Sequence, residues 1–87
     1  MIAFNDILLQ MQDLYNRKNH DYGNSYEKSL DEDGLIVAKI RLGDKFNRFK
    51  TIIKSESEVK DESIEDTLID MANYAVMTLT WIRNKQC

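Results

Sequence analysis

The sequence contains no proline, only three glycines and a single cysteine among its 87 residues. Without proline no helix is interrupted from within, and so few glycines favour long helices over tight turns. Cys87 has no second cysteine with which to form an internal disulfide, and no CxxC spacing indicates a metal site. We therefore expect a largely helical protein in a reducing compartment, the cytoplasm.

Long hydrophobic runs and an excess of positive charge are also missing. No stretch approaches the roughly 18 apolar residues that cross a bilayer, so we expect neither a membrane span nor export. The formal net charge of -3 argues against generic binding to duplex nucleic acid, which depends on a basic surface. Residues 39–54 nevertheless hold six basic side chains against one acid, so a local cationic site is compatible with the acidic total.

The spacing of apolar residues predicts three helices in one domain, residues 1–87. Apolar positions recur every three or four residues in three segments, which are approximately residues 5–17, 35–54 and 63–84. The expected caps are Asn5, Asp33, and Ser63 with Asp66. The predicted fold class is all-α, a three-helix hairpin or bundle. Residues 19–34 form a long loop that we expect to be functional, with a short helical turn at 25–30 inside it.

The third helix carries more apolar surface than three helices can cover. Residues 74–82, YAVMTLTWI, are apolar nearly all round. Ile36 and Ile40 lie away from the apolar seam of the second helix, which comprises Leu35, Ala38, Leu42, Phe46, Phe49 and Ile53. A helix that is hydrophobic on every side lies inside a larger assembly. We predict a homo-oligomer, at least a dimer, that assembles through the third helix. The alternative is a frayed helix end around Trp81.

Three basic residues lie beside the apolar seam of the second helix: Arg41, Lys45 and Arg48. At the border of a core they are partly shielded from water and hold a phosphate more strongly than solvated lysines do. The alternative is that they are paired, either with Asp44 on the same helix or with the acidic start of the third helix.

Asp66, Asp70 and Asn73 form a polar stripe on the third helix. It lies nearly opposite the main apolar seam of that helix, which comprises Ile64, Leu68, Met71, Ala75, Leu79 and Ile82. Their oxygens can accept hydrogen bonds from ribose hydroxyls or base edges, an interpretation that needs no cofactor. Under an enzymatic alternative, Asp66 and Asp70 would hold Mg²⁺. A purely structural alternative, acids facing the helix dipole, explains Asp66 better than Asp70.

The segment KNHDYGNSY, residues 18–26, supplies the remaining candidates. Tyr22 and Tyr26 offer rings that stack on a base, Lys18 offers a cation for a phosphate, and His20 is expected to form hydrogen bonds. No nucleophile with a paired base accompanies them.

Three motifs in order, KNHDYGNSY, KIRLGDKFNRFK and ESIEDTLIDMANYAVM, resemble the nucleotide modification associated domain 1 family, small proteins found largely in bacterial viruses. The resemblance covers nearly the whole chain. It implies an all-helical fold, a nucleotide-related role and the cytoplasm of an infected bacterial host. The third helix also distantly resembles MazG-like pyrophosphohydrolases, which carry an ExxD motif followed by an apolar run containing tyrosine. In this chain Asp70 matches the aspartate and Tyr74, one turn later, matches the tyrosine, but Thr67 stands where the motif has glutamate.

Three functions remain open. The first is a binding protein for a phosphorylated nucleotide or nucleotide-derived signal, such as a viral protein that sequesters a messenger of host immunity. The second is a Mg²⁺-dependent pyrophosphohydrolase, which the incomplete carboxylate set disfavours, and the third is a structural helical adaptor. We expect the first, with ligand-binding residues Lys18, His20, Tyr22, Tyr26, Arg41, Lys45, Arg48, Asp66, Asp70 and Asn73.

Overall fold

Four α-helices make up the computed structural model of the chain, which describes residues 1–22, 24–54 and 60–86, without the side chains of residues 21, 22 and 60–62. In chain order they are α1 (Phe4–Tyr22), α2 (Ser25–Asp33), α3 (Ile36–Ile52) and α4 (Lys60–Lys85). No strand occurs in these residues, so the predicted all-α class is confirmed. The predicted second and third helices correspond to α3 and α4.

The prediction of a long loop between the first two predicted helices is wrong. Residues 19–22 continue α1, and α2 occupies most of the remainder, extending beyond the short turn predicted at residues 25–30. Polar composition suggested a loop, but a polar segment forms a helix when one of its faces packs on a neighbour. Leu30 supplies that contact, since it is 1% exposed.

The predicted helix caps are also wrong. The carbonyl of Ala3 accepts the first hydrogen bonds of α1, and the Asp6 carboxylate accepts the Ala3 N–H at 2.9 Å, half of a capping box, so Asn5 lies inside the helix. Asp33 belongs to α2, and Leu35 precedes α3 without a side-chain cap. Ser63 lies inside α4, where its carbonyl accepts the Thr67 hydroxyl at 2.7 Å.

Gly34 makes the turn between α2 and α3. Its φ of 77° and ψ of -161° lie in a region that is essentially restricted to glycine, and its N–H caps α2 by donating to the Leu30 carbonyl at 2.8 Å. The chain therefore reverses within two residues. α2 consequently packs against both α3 and α4.

α3 and α4 form the most extensively packed pair. Residues 53–59 join them, and a connection this short makes consecutive helices antiparallel. α1 also runs antiparallel to α4, because Lys18 contacts Asp70 whereas Met11, earlier on α1, contacts the later Asn73.

The interior of the protomer is small. Among the described residues, the buried hydrophobic side chains are Leu30 and Ala38, and the buried polar ones are Thr67 and Thr78 of α4. Both threonine hydroxyls donate to the carbonyl four residues earlier, and Oγ1 of Thr78 also lies 2.8 Å from the Tyr26 hydroxyl of α2. No helix in the described part of the chain has a stretch apolar enough to cross a membrane.

Candidate functional site

Two neighbouring cavities lie between α1 and α4, with α2 closing one side. Their volumes are about 440 Å³ and about 220 Å³. They share five lining residues: Tyr15, Asn19, Tyr26, Asn73 and Met77. We treat them as one site, the α1–α4 cleft, with a larger and a smaller cavity.

The smaller cavity is the cationic end of the cleft. Lys18 of α1 places its Nζ 3.2 Å from Oδ1 of Asp70, and Lys45 of α3 places its Nζ 3.0 Å from Oδ2 of the same carboxylate. Two lysines therefore share one acid, so this group of three side chains carries one uncompensated positive charge. Asp70 is 21% exposed and Lys45 28%, so water screens this charge less than it screens an ordinary surface charge.

The arrangement around Asp70 does not fit a magnesium site. A magnesium ion needs several oxygen ligands, and both Asp70 oxygens already accept hydrogen bonds from lysine. Asp66, one turn earlier on α4, is exposed. Within the described ranges no three histidine, cysteine, aspartate or glutamate side chains gather as metal ligands.

Tyr26 and Tyr74 form an aromatic wall beside the cations. Their ring centroids are 4.9 Å apart at an interplanar angle of 63°, an edge-to-face contact. The Tyr26 hydroxyl lies 2.8 Å from Oγ1 of Thr78, which holds the ring of α2 against α4. Tyr26 therefore has a fixed ring in the cleft, and its hydroxyl is already hydrogen-bonded.

Amide and apolar side chains line the larger cavity. The amides along its walls are Gln12, Asn19, Asn24, Asn73 and Asn84, and its apolar residues include Leu8, Met11, Leu30, Val76 and Met77. Asn73 also donates from Nδ2 to the Met11 carbonyl at 3.4 Å, which joins α1 to α4 across the cleft. An apolar cavity with a few polar groups is the usual form of a small-molecule site.

Trp81 lines the larger cavity toward the C-terminal end of α4. Its indole N–H donates to Asp31 of α2 at 2.8 Å, and Lys85 lies 4.7 Å from the centroid of its ring. Lys85 is also 3.9 Å from the same Asp31 carboxylate. These contacts attach the end of α2 to α4 and fix the orientation of the indole.

Five of the predicted site residues come together at the smaller cavity. Lys18, Tyr26, Asp70 and Asn73 line it, and Lys45 reaches it through Asp70. None of the three predicted α3 cations lines either cavity directly. Lys45 contacts the lining residue Asp70, whereas Arg41 and Arg48 are exposed, one turn on either side of Lys45.

His20 and Asp66 are exposed and line neither cavity. His20 lies two residues after Lys18 on a helix, which directs its side chain about 200° away from that of Lys18. The side chain of Tyr22 lies outside the described residues. The roles predicted for these residues stay predictions.

The sequence interpretation missed several cleft residues, chiefly Tyr15, Asn19, Tyr74 and Trp81. Tyr15, Lys18 and Asn19 follow the i, i+3, i+4 spacing of one helix face, so extending the first helix past Arg17 would have grouped them. No comparable local signal identifies Trp81, because residues 74–82 of α4 are apolar nearly all round.

A family model described as nucleotide modification associated domain 1 matches residues 18–82 of the chain. The match includes every residue of the smaller cavity except Tyr15. No curated protein and no solved structure matches the chain.

Proposed function

Because the chain belongs to the nucleotide modification associated domain 1 family, we propose that its α1–α4 cleft binds a phosphorylated nucleotide or a signal derived from one. One observation carries the proposal. The cleft joins a cationic end, where Lys18 and Lys45 share one carboxylate, to an aromatic and amide-lined cavity large enough for a base and a sugar.

The phosphate binds at the smaller cavity. Lys18 and Lys45 come from different helices and converge on Asp70, so an incoming phosphate meets two ammonium groups already held in place. Ammonium groups fixed in advance lose less side-chain entropy when a ligand arrives. Asp70 positions both lysines and competes with the phosphate for them.

The base and sugar occupy the larger cavity. Its asparagine and glutamine amides both donate and accept hydrogen bonds, as base edges and ribose hydroxyls require, and the tyrosine and tryptophan rings offer stacking surfaces. The two volumes, about 440 Å³ and about 220 Å³, together fall within the roughly 300–1,000 Å³ of small-molecule sites.

Binding without hydrolysis is the preferred form of this function. MazG-type hydrolysis gathers carboxylates around Mg²⁺, whereas the described contacts of Asp70 are with two lysines. Sequestration of a host nucleotide messenger, in the cytoplasm of an infected bacterium, is the biological setting that we propose for a protein that binds and does not turn over its ligand.

Isothermal titration tests the proposal with ADP, adenosine, orthophosphate, ADP-ribose and cyclic dinucleotides. Lys45→Met removes one ammonium group from the cleft, and Lys39→Met is the matched control on the exposed surface of the same helix. We expect Lys45→Met to weaken binding of the phosphorylated ligands by about 10- to 100-fold, since a hydrogen bond to a charged group contributes about 1.5–3 kcal/mol. Lys39→Met should leave the affinity unchanged.

Three outcomes would contradict parts of this function. Absence of binding by every ligand removes the nucleotide proposal and leaves the helical adaptor. Equal losses in both lysine variants remove the assignment of the phosphate to the smaller cavity. Release of phosphate or pyrophosphate from a bound ligand, in place of intact recovery, replaces sequestration by hydrolysis.

Assembly through α4 into a homo-oligomer, at least a dimer, is part of the proposed working form. It is supported by the half-exposed Leu68, Val76 and Leu79, which would leave a lone α4 with apolar side chains in water on several sides.

A further inference from the structure

The protomer has more surface than a compact monomer of its size. Its accessible surface is 6,894 Å², whereas a folded monomer of 10.2 kDa exposes about 5,300 Å², a difference of roughly 1,600 Å². The radius of gyration is 14.3 Å against about 12 Å for a compact chain of this length. With only Leu30 and Ala38 as buried hydrophobic residues in the described part of the chain, the protomer has little core of its own.

Five exposed apolar residues share one face of the α3–α4 hairpin, which we call the α3–α4 face. On α4, Leu68 and Leu79 are eleven residues apart, about three turns. On the α3 side, Phe46 lies eleven residues after Leu35 and seven before Ile53, again whole numbers of turns. Each of the five is 45% to 53% exposed.

This face lies on the opposite side of the hairpin from the α1–α4 cleft. Leu68 and Leu79 are two residues before and nine residues after Asp70, which at about 100° per residue places them about half a turn away from it. Asp70 contacts Lys18 of α1, so the two leucines lie away from α1.

On α3 the same arithmetic separates the apolar flank from the cationic one. Leu35, Phe46 and Ile53 all lie about 80–100° from Lys45 in one direction, whereas Arg41 and Arg48 lie about 40–60° from it in the other. Lys45 contacts Asp70 on the cleft side. The α3 and α4 residues therefore belong to one continuous surface.

We infer that a second copy of this chain packs on the α3–α4 face in a two-fold dimer, with a complete α1–α4 cleft left open in each protomer. A two-fold dimer pairs one patch with itself, which suits a patch of five uncharged aliphatic and aromatic residues. A standard interface buries about 800 Å² on each partner, and the surplus surface of this protomer exceeds that area.

The exposed end of α1 is a weaker candidate for the same partner. Leu8 is 43% exposed but lines the larger cavity, so a second copy seated there would cover the cleft. The dimer specifies the homo-oligomer of the proposed working form, and its test does not depend on whether the cleft binds a nucleotide.

The molar mass in solution tests the inference, measured by light scattering after size exclusion and by native mass spectrometry. The natural chain should have twice the 10.2 kDa chain mass. Leu68→Glu and Leu79→Glu each place a carboxylate in the interface and should give single-chain mass. Leu9→Glu is the matched control, because Leu9 of α1 is 66% exposed and lies outside the face.

Thiol labelling provides a second measurement if either glutamate variant fails to fold. Leu79→Cys and Leu9→Cys are compared in a Cys87→Ser background, where each protein has one thiol. The dimer should protect position 79 and leave position 9 reactive, whereas a lone protomer exposes both. Single-chain mass at all concentrations, a dimer that both face variants leave intact, or equal labelling of the two thiols would each overturn the inference.

Discussion

Asp70→Asn should destabilise the protein and strengthen its binding of phosphorylated ligands. Asp70 is the only described partner of the Lys18 and Lys45 ammonium groups, at 3.2 Å and 3.0 Å. The amide keeps the shape of the side chain but removes its charge and leaves one good acceptor for two donors. Because the same carboxylate holds the lysines and competes for them, stability and affinity should move in opposite directions.

The loss of stability follows from the two ion pairs. An exposed pair contributes about 0–1 kcal/mol, and hydrogen bonds to charged groups contribute about 1.5–3 kcal/mol. Since Lys18 is 54% exposed and asparagine keeps one acceptor, we expect a loss of about 1–2 kcal/mol. At about 4–8 °C per kcal/mol for a domain of this size, the melting temperature should fall by about 4–16 °C.

The gain in affinity follows from the removal of one negative charge beside the phosphate. Two unit charges about 6 Å apart interact by about 3 kcal/mol at an effective dielectric constant of about 20. We halve this value, because the site is partly exposed and water and salt screen the interaction. The remaining value, about 1.4 kcal/mol, corresponds to about a tenfold change in affinity. We therefore expect Asp70→Asn to bind ADP about ten times more tightly than the natural chain.

Thermal unfolding and titration with ADP measure the two effects, and Asp66→Asn is the control. Asp66 lies one turn earlier on α4 and is exposed, so the same change of charge there should alter stability by less than about 0.5 kcal/mol and leave affinity nearly unchanged. Weaker ADP binding in Asp70→Asn alone would refute the reasoning, because it would mean that the carboxylate contacts the ligand or a metal itself.

Two further predictions concern the α2 segment. Tyr26→Phe removes the 2.8 Å hydrogen bond to Thr78 and should lower the free energy of unfolding in urea by about 0.5–1.5 kcal/mol. The control is Tyr15→Phe, which should lower it by less, because the Tyr15 hydroxyl bonds to none of the described residues. Equal losses in the two variants would show that the bond does not contribute to stability. An added Cβ meets nothing within 4 Å at either Gly34 or Gly43, so the two alanine variants differ only in backbone conformation. Gly34→Ala forces alanine to φ 77° and should destabilise the protein by about 1–3 kcal/mol, whereas Gly43→Ala within α3 should stabilise it by about 0.5–1 kcal/mol. A Gly34→Ala variant of unchanged stability would contradict the predicted backbone strain.

The presence and approximate position of α3 and α4 could be predicted from the sequence, but the exact helix ends and the structure of the polar segment before α3 could not. Apolar spacing over α3 and α4 is regular enough to place both helices within a few residues. The segment from residue 19 to residue 33 is polar, and its helices depend on Leu30 being buried against other parts of the chain. That contact is not local, so a reading of neighbouring residues assigned a loop.

The candidate site was predictable only where its residues lie on one face of a single helix. The stripe containing Asp70 and Asn73 and the stripe containing Lys45 follow from helical spacing within α4 and α3. Two polar residues on one stripe can still differ in exposure: Asp66 is exposed, whereas Asp70 is partly buried. Helical spacing does not predict this difference, because it depends on which neighbouring helix covers each residue.

The sequence by itself determined the all-helical class, the absence of proline kinks and the cationic flank of α3, because each depends on residues a few positions apart. The tertiary structure alone decided that Lys18 and Lys45 share Asp70, 52 and 25 residues away, and that Tyr26 bonds to Thr78, also 52 residues away. Those pairings require α1, α2 and α3 to lie at particular positions along α4. The packing of whole helix faces sets these positions, and no single segment of the chain encodes them.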